Sequence, residues 1–227
     1  MSTFRRPEVV VFDVVGTLAS LEVIEDRLAE IGQPREMLAG WFARLLRDGM
    51  ALTLTGVYRP FLEVATSALQ AHTHGAVTAE QARHVMGGFA ETTARPDAAA
   101  AVSAASEAGF RVFTLSNGSI DSTRSFLERA DLVAAVEQVL SIDEVQAWKP
   151  ASAPYQHAAA VAGLAPEQLA LVAVHSWDVH GAHRAGLGTG WSSSVETVPT
   201  EAFVEADVTA PSLDGVVRAL HELPTRR

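Results

Sequence analysis

The first strong pattern in the chain is a short apolar segment that predicts a buried β-strand. The segment Val9–Phe12 is four residues long, consists mostly of β-branched valine, and is soon followed by Gly16, which favours a loop. The pattern then changes to helical periodicity, and no strand-like alternation appears up to about residue 92. Four helices are predicted in this region, at about residues 21–31, 35–50, 58–72 and 78–92, with breaks at Gly32–Pro34, at Gly49 and Gly56, and at Thr73–Val77.

After residue 95, apolar strands alternate with helices. The predicted strands cover residues 110–115, 136–141, 169–174 and 189–192, and the predicted helices cover residues 97–108, 120–130, 151–163, 179–186 and 212–222. Such alternation is typical of an α/β fold with a Rossmann-like parallel sheet and helices on both faces. We therefore expect an α/β core domain of residues 1–17 and 93–227, with an all-helical domain of residues 18–92 inserted after the first strand.

The composition excludes several classes of function. The 227 residues contain no cysteine, which removes disulfides, thiolate metal sites and cysteine nucleophiles. Seventeen basic and 27 acidic side chains give a formal charge of −10, so nucleic acid and anionic membranes are poor partners. No signal peptide or membrane span is recognisable, and we expect a cytoplasmic protein. Apolar residues in the helical insertion leave a homodimer open.

Four polar side chains follow predicted strands or lie in the adjoining loops: Asp13, Ser116, Lys149 and Asp178. Ligands of an open parallel sheet bind outside the carboxyl ends of its strands, so we expect these side chains to lie together. Lys149 is the most informative of them because it is the only lysine in the chain, and Pro150 restricts its backbone to an extended conformation. An ammonium group placed there would keep a neighbouring carboxylate ionised.

Each of these side chains also has a purely structural interpretation. Asp13 is compatible with capping the next turn, and Ser116 with a plain turn that continues into Asn117. Lys149 is compatible with a surface position, and Asp178 with the N-cap of a helix. The convergence of all four is what favours a catalytic site, with Asp13 as a nucleophile.

His175 precedes this last aspartate and is compatible with several roles. It fits a buried neutral imidazole, a base, or a hydrogen-bond donor to a substrate. His180 and His183 follow on the next helix, but the three histidines lack the spacing and the supporting carboxylate of a metal site. We expect no metal ligands here.

The four segments resemble the four motifs of the haloacid dehalogenase superfamily, in the same order and spacing. The first is VVVFDVVGTL with Asp13 and Thr17, and the second is TLSNGS with Ser116. The third is WKPASAPY with Lys149, and the fourth is VAVHSWDVHGAHRAGL with Asp178. The resemblance spans essentially the whole chain. It implies the α/β core, and it identifies the helical insertion with the cap domain of that family.

Within the superfamily the chain resembles the L-2-haloacid dehalogenases more than the phosphatases. Phosphatases usually have an aspartate two residues after the nucleophile and an acidic pair in the fourth motif that binds magnesium. This chain has Val15 and Val174 at the corresponding positions. A halide leaves without protonation, and no phosphate charge needs a divalent cation. The resemblance therefore implies a metal-independent hydrolase without a cofactor.

The resemblance also implies roles for individual residues. Asp13 would attack the carbon that bears the halogen in a small 2-haloalkanoic acid and form an ester, which water would hydrolyse with the help of Lys149 and Asp178. Thr17 and Ser116 would orient the nucleophile and bind the substrate carboxylate. The further substrate-binding positions implied are Asn117, which would help to bind the departing halide, Arg44 of the cap, Tyr155, His175 and Trp177.

Two residues depart from the dehalogenase pattern. Val15 stands where these enzymes commonly have tyrosine, and His175 stands where they commonly have asparagine. These departures leave the superfamily unchanged but leave the particular acid open. Two other functions also stay open at this point: a phosphatase acting on a small phosphorylated metabolite, and a non-catalytic binding protein with the same fold.

Overall fold

The centre of the molecule is one parallel sheet. The computed structural model describes residues 4–226 and places six strands in the order β3-β2-β1-β4-β5-β6, every neighbouring pair parallel. The predicted α/β class is thereby confirmed. The strands are β1 (Val9–Phe12), β2 (Arg111–Ser116), β3 (Gln138–Ser141), β4 (Leu169–Ala173), β5 (Gly188–Ser192) and β6 (Val208–Ala210).

Helices cover both faces of this sheet, as predicted. In β1, Val10 and Phe12 face one apolar cluster while Val9 and Val11 face the other, which is the alternation expected of a strand buried on both sides. The first cluster includes α5 (Ala98–Glu107), α6 (Ile120–Arg129) and α9 (Leu213–His221), and the second includes α7 (Ser152–Ala162) and α8 (Ser176–Arg184).

The insertion after β1 is helical, as predicted, and has an apolar cluster of its own. Its members include Trp41, Leu45 and Leu69, together with Trp148 from the segment before α7. Trp148 is completely buried, and its indole N–H donates to the carbonyl of Arg59 at 3.0 Å. The helices of the insertion are α1 (Glu22–Glu30), α2 (Met37–Leu54), α3 (Phe61–His72) and α4 (Ala79–Gly87), followed by a short 3-10 turn, Gly88–Ala90.

Three details of the sequence prediction are wrong. Gly49 does not break a helix but lies inside α2, where the lack of a Cβ admits the Trp148 ring. The edge strand β6 was not expected, since three residues carry too little periodicity to be recognised. The helix α8 begins at Ser176 rather than at residue 179.

Gly49 supports a stability prediction that runs against helix propensity. Alanine is favoured over glycine in a helix by about 1 kcal/mol, but a Cβ at Gly49 would lie 2.4 Å from ring atoms of Trp148. We expect G49A to lower the free energy of unfolding by about 1–3 kcal/mol through overpacking, as measured by urea denaturation. In the same helix Gly40 is exposed, and among residues 4–226 a Cβ there would meet only the movable His72 ring, so the control G40A should match or exceed the wild type. Equal stabilities of the two variants would contradict the packing shown for Trp148.

The domain boundaries at residues 17/18 and 92/93 stay a prediction. The expected core domain includes residues 1–3 and Arg227, which lie outside the described residues. Among residues 4–226, no helix has both the length and the apolar character needed to cross a membrane.

Candidate active site

The sheet order brings the four strand-end residues together. Asp13 directly follows β1, Ser116 is the last residue of β2, and Asp178 lies in the first turn of α8, after β4. Because β1 lies between β2 and β4, these residues share the central carboxyl edge of the sheet. Lys149 reaches the same edge from the loop before α7.

The ammonium group of Lys149 joins the two carboxylates. Its Nζ lies 2.7 Å from Asp13 Oδ1, 2.7 Å from Asp178 Oδ2 and 3.1 Å from the carbonyl oxygen of Leu115. The side chain is completely buried. An ammonium has three donors, and here each has an acceptor. The buried charge is therefore both paired and fully hydrogen-bonded, which is the condition for keeping it ionised away from water.

The second oxygen of Asp13 accepts from two other side chains. Thr17 Oγ1 donates to Asp13 Oδ2 at 2.6 Å, and His175 Nδ1 lies 3.2 Å from the same oxygen. The Thr17 hydroxyl accepts from the backbone N–H of Val174 at 3.3 Å, which directs its own proton to the carboxylate. Since an ionised carboxylate only accepts, the His175 Nδ1 that faces it carries a proton.

The two carboxylates have their pKa values shifted in opposite directions. Burial by itself raises the pKa of Asp13, but the charge of Lys149, together with the hydrogen bond and charge of His175, brings it well below the ordinary 3.8. Burial raises the pKa of Asp178 above 3.8; Lys149 opposes the rise, and the nearby negative charge of Asp13 adds to it. Asp13 is therefore the weaker base, ionised at neutral pH, and Asp178 is the better proton acceptor.

Tyr155 holds the Asp178 carboxylate in place through a hydrogen bond. Its hydroxyl donates to Asp178 Oδ1 at 2.5 Å, and the ring is completely buried. Burial and the neighbouring Asp178 charge raise the pKa of this phenol well above 10.0, so it stays a donor. This contact gives Tyr155 a role in positioning Asp178, and its expected role in binding the substrate stays a prediction.

The remaining predicted residues surround this cluster. Ser116 Oγ accepts from the N–H of Gly118 at 2.9 Å, and Asn117 Oδ1 accepts from the backbone N–H of Lys149 at 3.2 Å. The Trp177 ring stacks on His175 with 5.5 Å between ring centroids, and its own centroid lies 6.0 Å from Lys149 Nζ.

Comparison with known proteins identifies the family. The family model for haloacid dehalogenase-like hydrolases matches residues 7–186, which is well over half of the chain. The chain belongs to this family. It is 31% identical over 184 residues to (S)-2-haloacid dehalogenase 1 of Pseudomonas sp. (strain CBS-3), covering 79% of this chain and 81% of that protein.

Solved structures of similar proteins agree with this assignment. A crystal structure of a dehalogenase in an intermediate complex has a TM-score of 0.86 at 26% identity, covering 96% of this chain and 99% of that one. L-2-haloacid dehalogenase from Xanthobacter autotrophicus, with chloropropionic acid covalently bound, has a TM-score of 0.84 at 21% identity, covering 95% and 99%. At that identity the second structure supports the fold alone.

In this hydrolase, Arg44 is not joined to the cluster at the sheet edge. It lies on α2, its Nε is 3.7 Å from Asp48 Oδ2, and within residues 4–226 no hydrogen bond or ion pair links it to another predicted site residue. A role for Arg44 toward the substrate stays a prediction.

Two groups in the hydrolase's site were not singled out from the sequence. The Leu115 carbonyl is a backbone acceptor and has no side-chain signal. Gly16 has φ +85°, and a Cβ there would lie 3.0 Å from Cε1 of His175, so glycine both forms the turn and leaves space for the imidazole. The adjacency of Gly16 to Thr17 in the first motif was the available signal. In the part of the chain that is described, no three His, Asp or Glu side chains cluster as metal ligands.

Proposed function

We propose that this protein hydrolyses the carbon–halogen bond of a small 2-haloalkanoic acid through an ester on Asp13. The observation that carries the proposal is the buried ion pair between Lys149 and Asp13, which keeps the carboxylate ionised where little water reaches it. Its relatives include a protein named (S)-2-haloacid dehalogenase 1, which is 31% identical to this chain.

The contacts of Asp13 select the oxygen that attacks. Each carboxylate oxygen has two lone-pair sites. Oδ2 accepts from both Thr17 and His175, whereas among residues 4–226 Oδ1 accepts only from Lys149. We assign Oδ1 as the nucleophile. Its free pair forms the C–O bond, the C–halogen bond breaks, and the halide leaves with the bonding electrons, so no proton is transferred in this step.

The same arrangement serves the hydrolysis of the ester. Water attacks Cγ of Asp13 and gives a proton to Asp178, the more basic carboxylate. Negative charge then develops on Oδ2, where Thr17 and His175 already donate. Collapse breaks the bond from Cγ to Oδ1, the alkoxide takes the proton back from Asp178, and the 2-hydroxy acid leaves. The Asp13 carboxyl, which keeps the second proton of the water, releases it to solvent because its pKa lies well below the ordinary range, and this regenerates the ionised nucleophile. Lys149 stabilises the departing oxygen.

The donor role of His175 gives a prediction with a matched pair of variants. Asparagine keeps an N–H donor, whereas leucine has the same shape without one. We expect H175N to retain turnover within about tenfold and H175L to hydrolyse the ester about 10²–10³-fold more slowly, the usual cost of a lost oxyanion donor. Halide release by H175L should show a burst of one equivalent per enzyme followed by slow turnover, with the Asp13 ester visible by intact mass. Equal hydrolysis rates in the two variants would contradict the assignment.

The remaining roles are also proposals. Ser116, Asn117, Trp177 and Arg44 would bind the substrate carboxylate and the halide. Residues 18–92 would act as a cap domain over the core of residues 1–17 and 93–227. The cytoplasmic location and the homodimer are proposals that rest on the sequence alone.

The first experiment is halide release from (S)-2-chloropropionate, run with and without a chelator, beside an aryl phosphate with magnesium. We expect Asp13-dependent release that the chelator leaves unchanged. Magnesium-dependent phosphate release without halide release would instead identify a phosphatase, and no turnover of either would favour a binding protein.

A further inference from the structure

A cavity of about 520 Å³ lies between the helical insertion and the loops of the core that carry the site. The core contributes Val15, two residues after Asp13, and Gly118, whose N–H donates to Ser116 Oγ. The loops that hold the nucleophile and its neighbours therefore also form one wall of the cavity. From the insertion, the opposite wall includes Phe61, Leu62, Met86 and Phe89.

The lining of this cavity is mostly apolar. Phe61, Met86 and Phe89 are buried, and Leu62, which also lines the cavity, is 48% exposed. A concave surface lined mostly by apolar side chains with a few polar groups is a feature of ligand sites. Asp143 already accepts a hydrogen bond from the Tyr58 hydroxyl. The other polar residues of the lining are Thr66, Arg83, Ser119 and Ser122.

The volume exceeds what a minimal substrate fills. Cavities of about 300–1,000 Å³ bind ligands of drug size, whereas 2-chloropropionate has only a methyl group to place beside C2. Water in this space is in contact with apolar walls, so its replacement by hydrocarbon is favourable.

We propose that the cavity binds an apolar chain at C2 of the substrate, so that the preferred acids are 2-haloalkanoic acids with side chains longer than methyl. This inference rests on the proposed dehalogenase function and names the substrate class of that site. The chain would pass Val15 and lie against Leu62, Met86 and Phe89.

The test is a homologous series from (S)-2-chloropropionate to (S)-2-chlorohexanoate. Each added methylene should raise kcat/KM about three- to fourfold, the equivalent of ~0.8 kcal/mol per buried CH₂, and the whole series about 30- to 60-fold. Binding of the matching 2-hydroxy acids, which have no halogen to lose, should tighten with the same slope in titration calorimetry.

Two variants of the cavity wall and one control complete the design. V15F fills part of the cavity beside the loop that follows β1. L62N replaces a half-exposed leucine of the cavity wall by a polar residue of equal shape. Each should lower the ratio of kcat/KM for the hexanoate to that for the propionate by about tenfold. V161F adds the same ring at a partly exposed valine of α7 outside the cavity and should leave the ratio unchanged.

The outcomes separate the inference from the function. Release of chloride from 2-chloropropionate with a flat or falling chain-length series overturns the inference and leaves the dehalogenase function standing. A steep series that V15F and L62N both leave unchanged also overturns it. No chloride from any member, with hydroxy-acid binding indifferent to chain length, overturns both. A rising series flattened by both variants and unaffected by V161F supports it.

Discussion

Replacing Asp13 by asparagine is expected to abolish halide release while leaving the fold intact. The amide has the same shape but lacks the anionic oxygen that attacks carbon, and we expect a loss of about 10⁴-fold or more in kcat. Lys149 still has Asp178 as a partner at 2.7 Å, so its charge stays paired. The free energy of unfolding should therefore stay within about 2 kcal/mol of the wild type. Single-turnover halide assays and urea denaturation check the two parts.

The control for D13N is a carboxylate outside the sheet edge. Asp26 pairs with Arg35 at the exposed surface of α1, and D26N should leave halide release unchanged. Residual turnover of D13N above a few per cent, in protein proven free of deamidation by mass, would exclude Asp13 as the nucleophile.

Replacing Lys149 by methionine is expected to damage both activity and stability. Lys149 is the largest of the influences that lower the pKa of Asp13 against the effect of burial, so we expect the carboxyl to become protonated without it, and a protonated carboxyl does not attack carbon. We expect a loss of about 10³-fold in kcat or more. Two carboxyls buried at one site also lose their common partner, which costs about 3–5 kcal/mol.

The pH dependence of K149M provides an independent check. With the lysine gone, the folded protein holds Asp13 and Asp178 at pKa values above those of the unfolded chain, so it binds more protons than the unfolded state. Stability must then fall as the pH rises. We expect the difference from the wild type to be smaller at pH 5 than at pH 8. The double variant K149M/D178N, which removes a buried carboxylate together with the lysine, should recover part of the stability but no activity. A destabilisation independent of pH would mean that lost packing, not unpaired charge, causes it.

The sheet edge was predictable because parallel topology converts sequence position into proximity. Asp13, Ser116 and Asp178 each follow a strand with a clear apolar pattern, and any sheet that places their strands together joins them. Lys149 was informative for a different reason. It is the only lysine in the chain, so it does not belong to a set of solubilising surface charges.

Contacts across the chain were not predictable in the same way. Gly49 resembles a helix break because helix propensity is a local property. Its role depends on Trp148, which is 99 residues away in sequence and whose ring occupies the space that a Cβ at Gly49 would need. The resemblance placed Tyr155 among the substrate-binding residues, but it did not indicate that the Tyr155 hydroxyl donates to the carboxylate of Asp178. The direction of the Arg44 side chain was also not predictable, because the sequence does not show which face of α2 is turned toward the site.

The most direct test of covalent catalysis by Asp13 is a single turnover of (S)-2-chloropropionate with enzyme in excess, in water labelled with oxygen-18. If Oδ1 attacks carbon and water attacks Cγ, the lactate released carries unlabelled oxygen from the enzyme, and the peptide that contains Asp13 gains one oxygen-18. Labelled lactate with an unlabelled Asp13 peptide would mean that water displaces the halide directly, and the ester mechanism would be wrong.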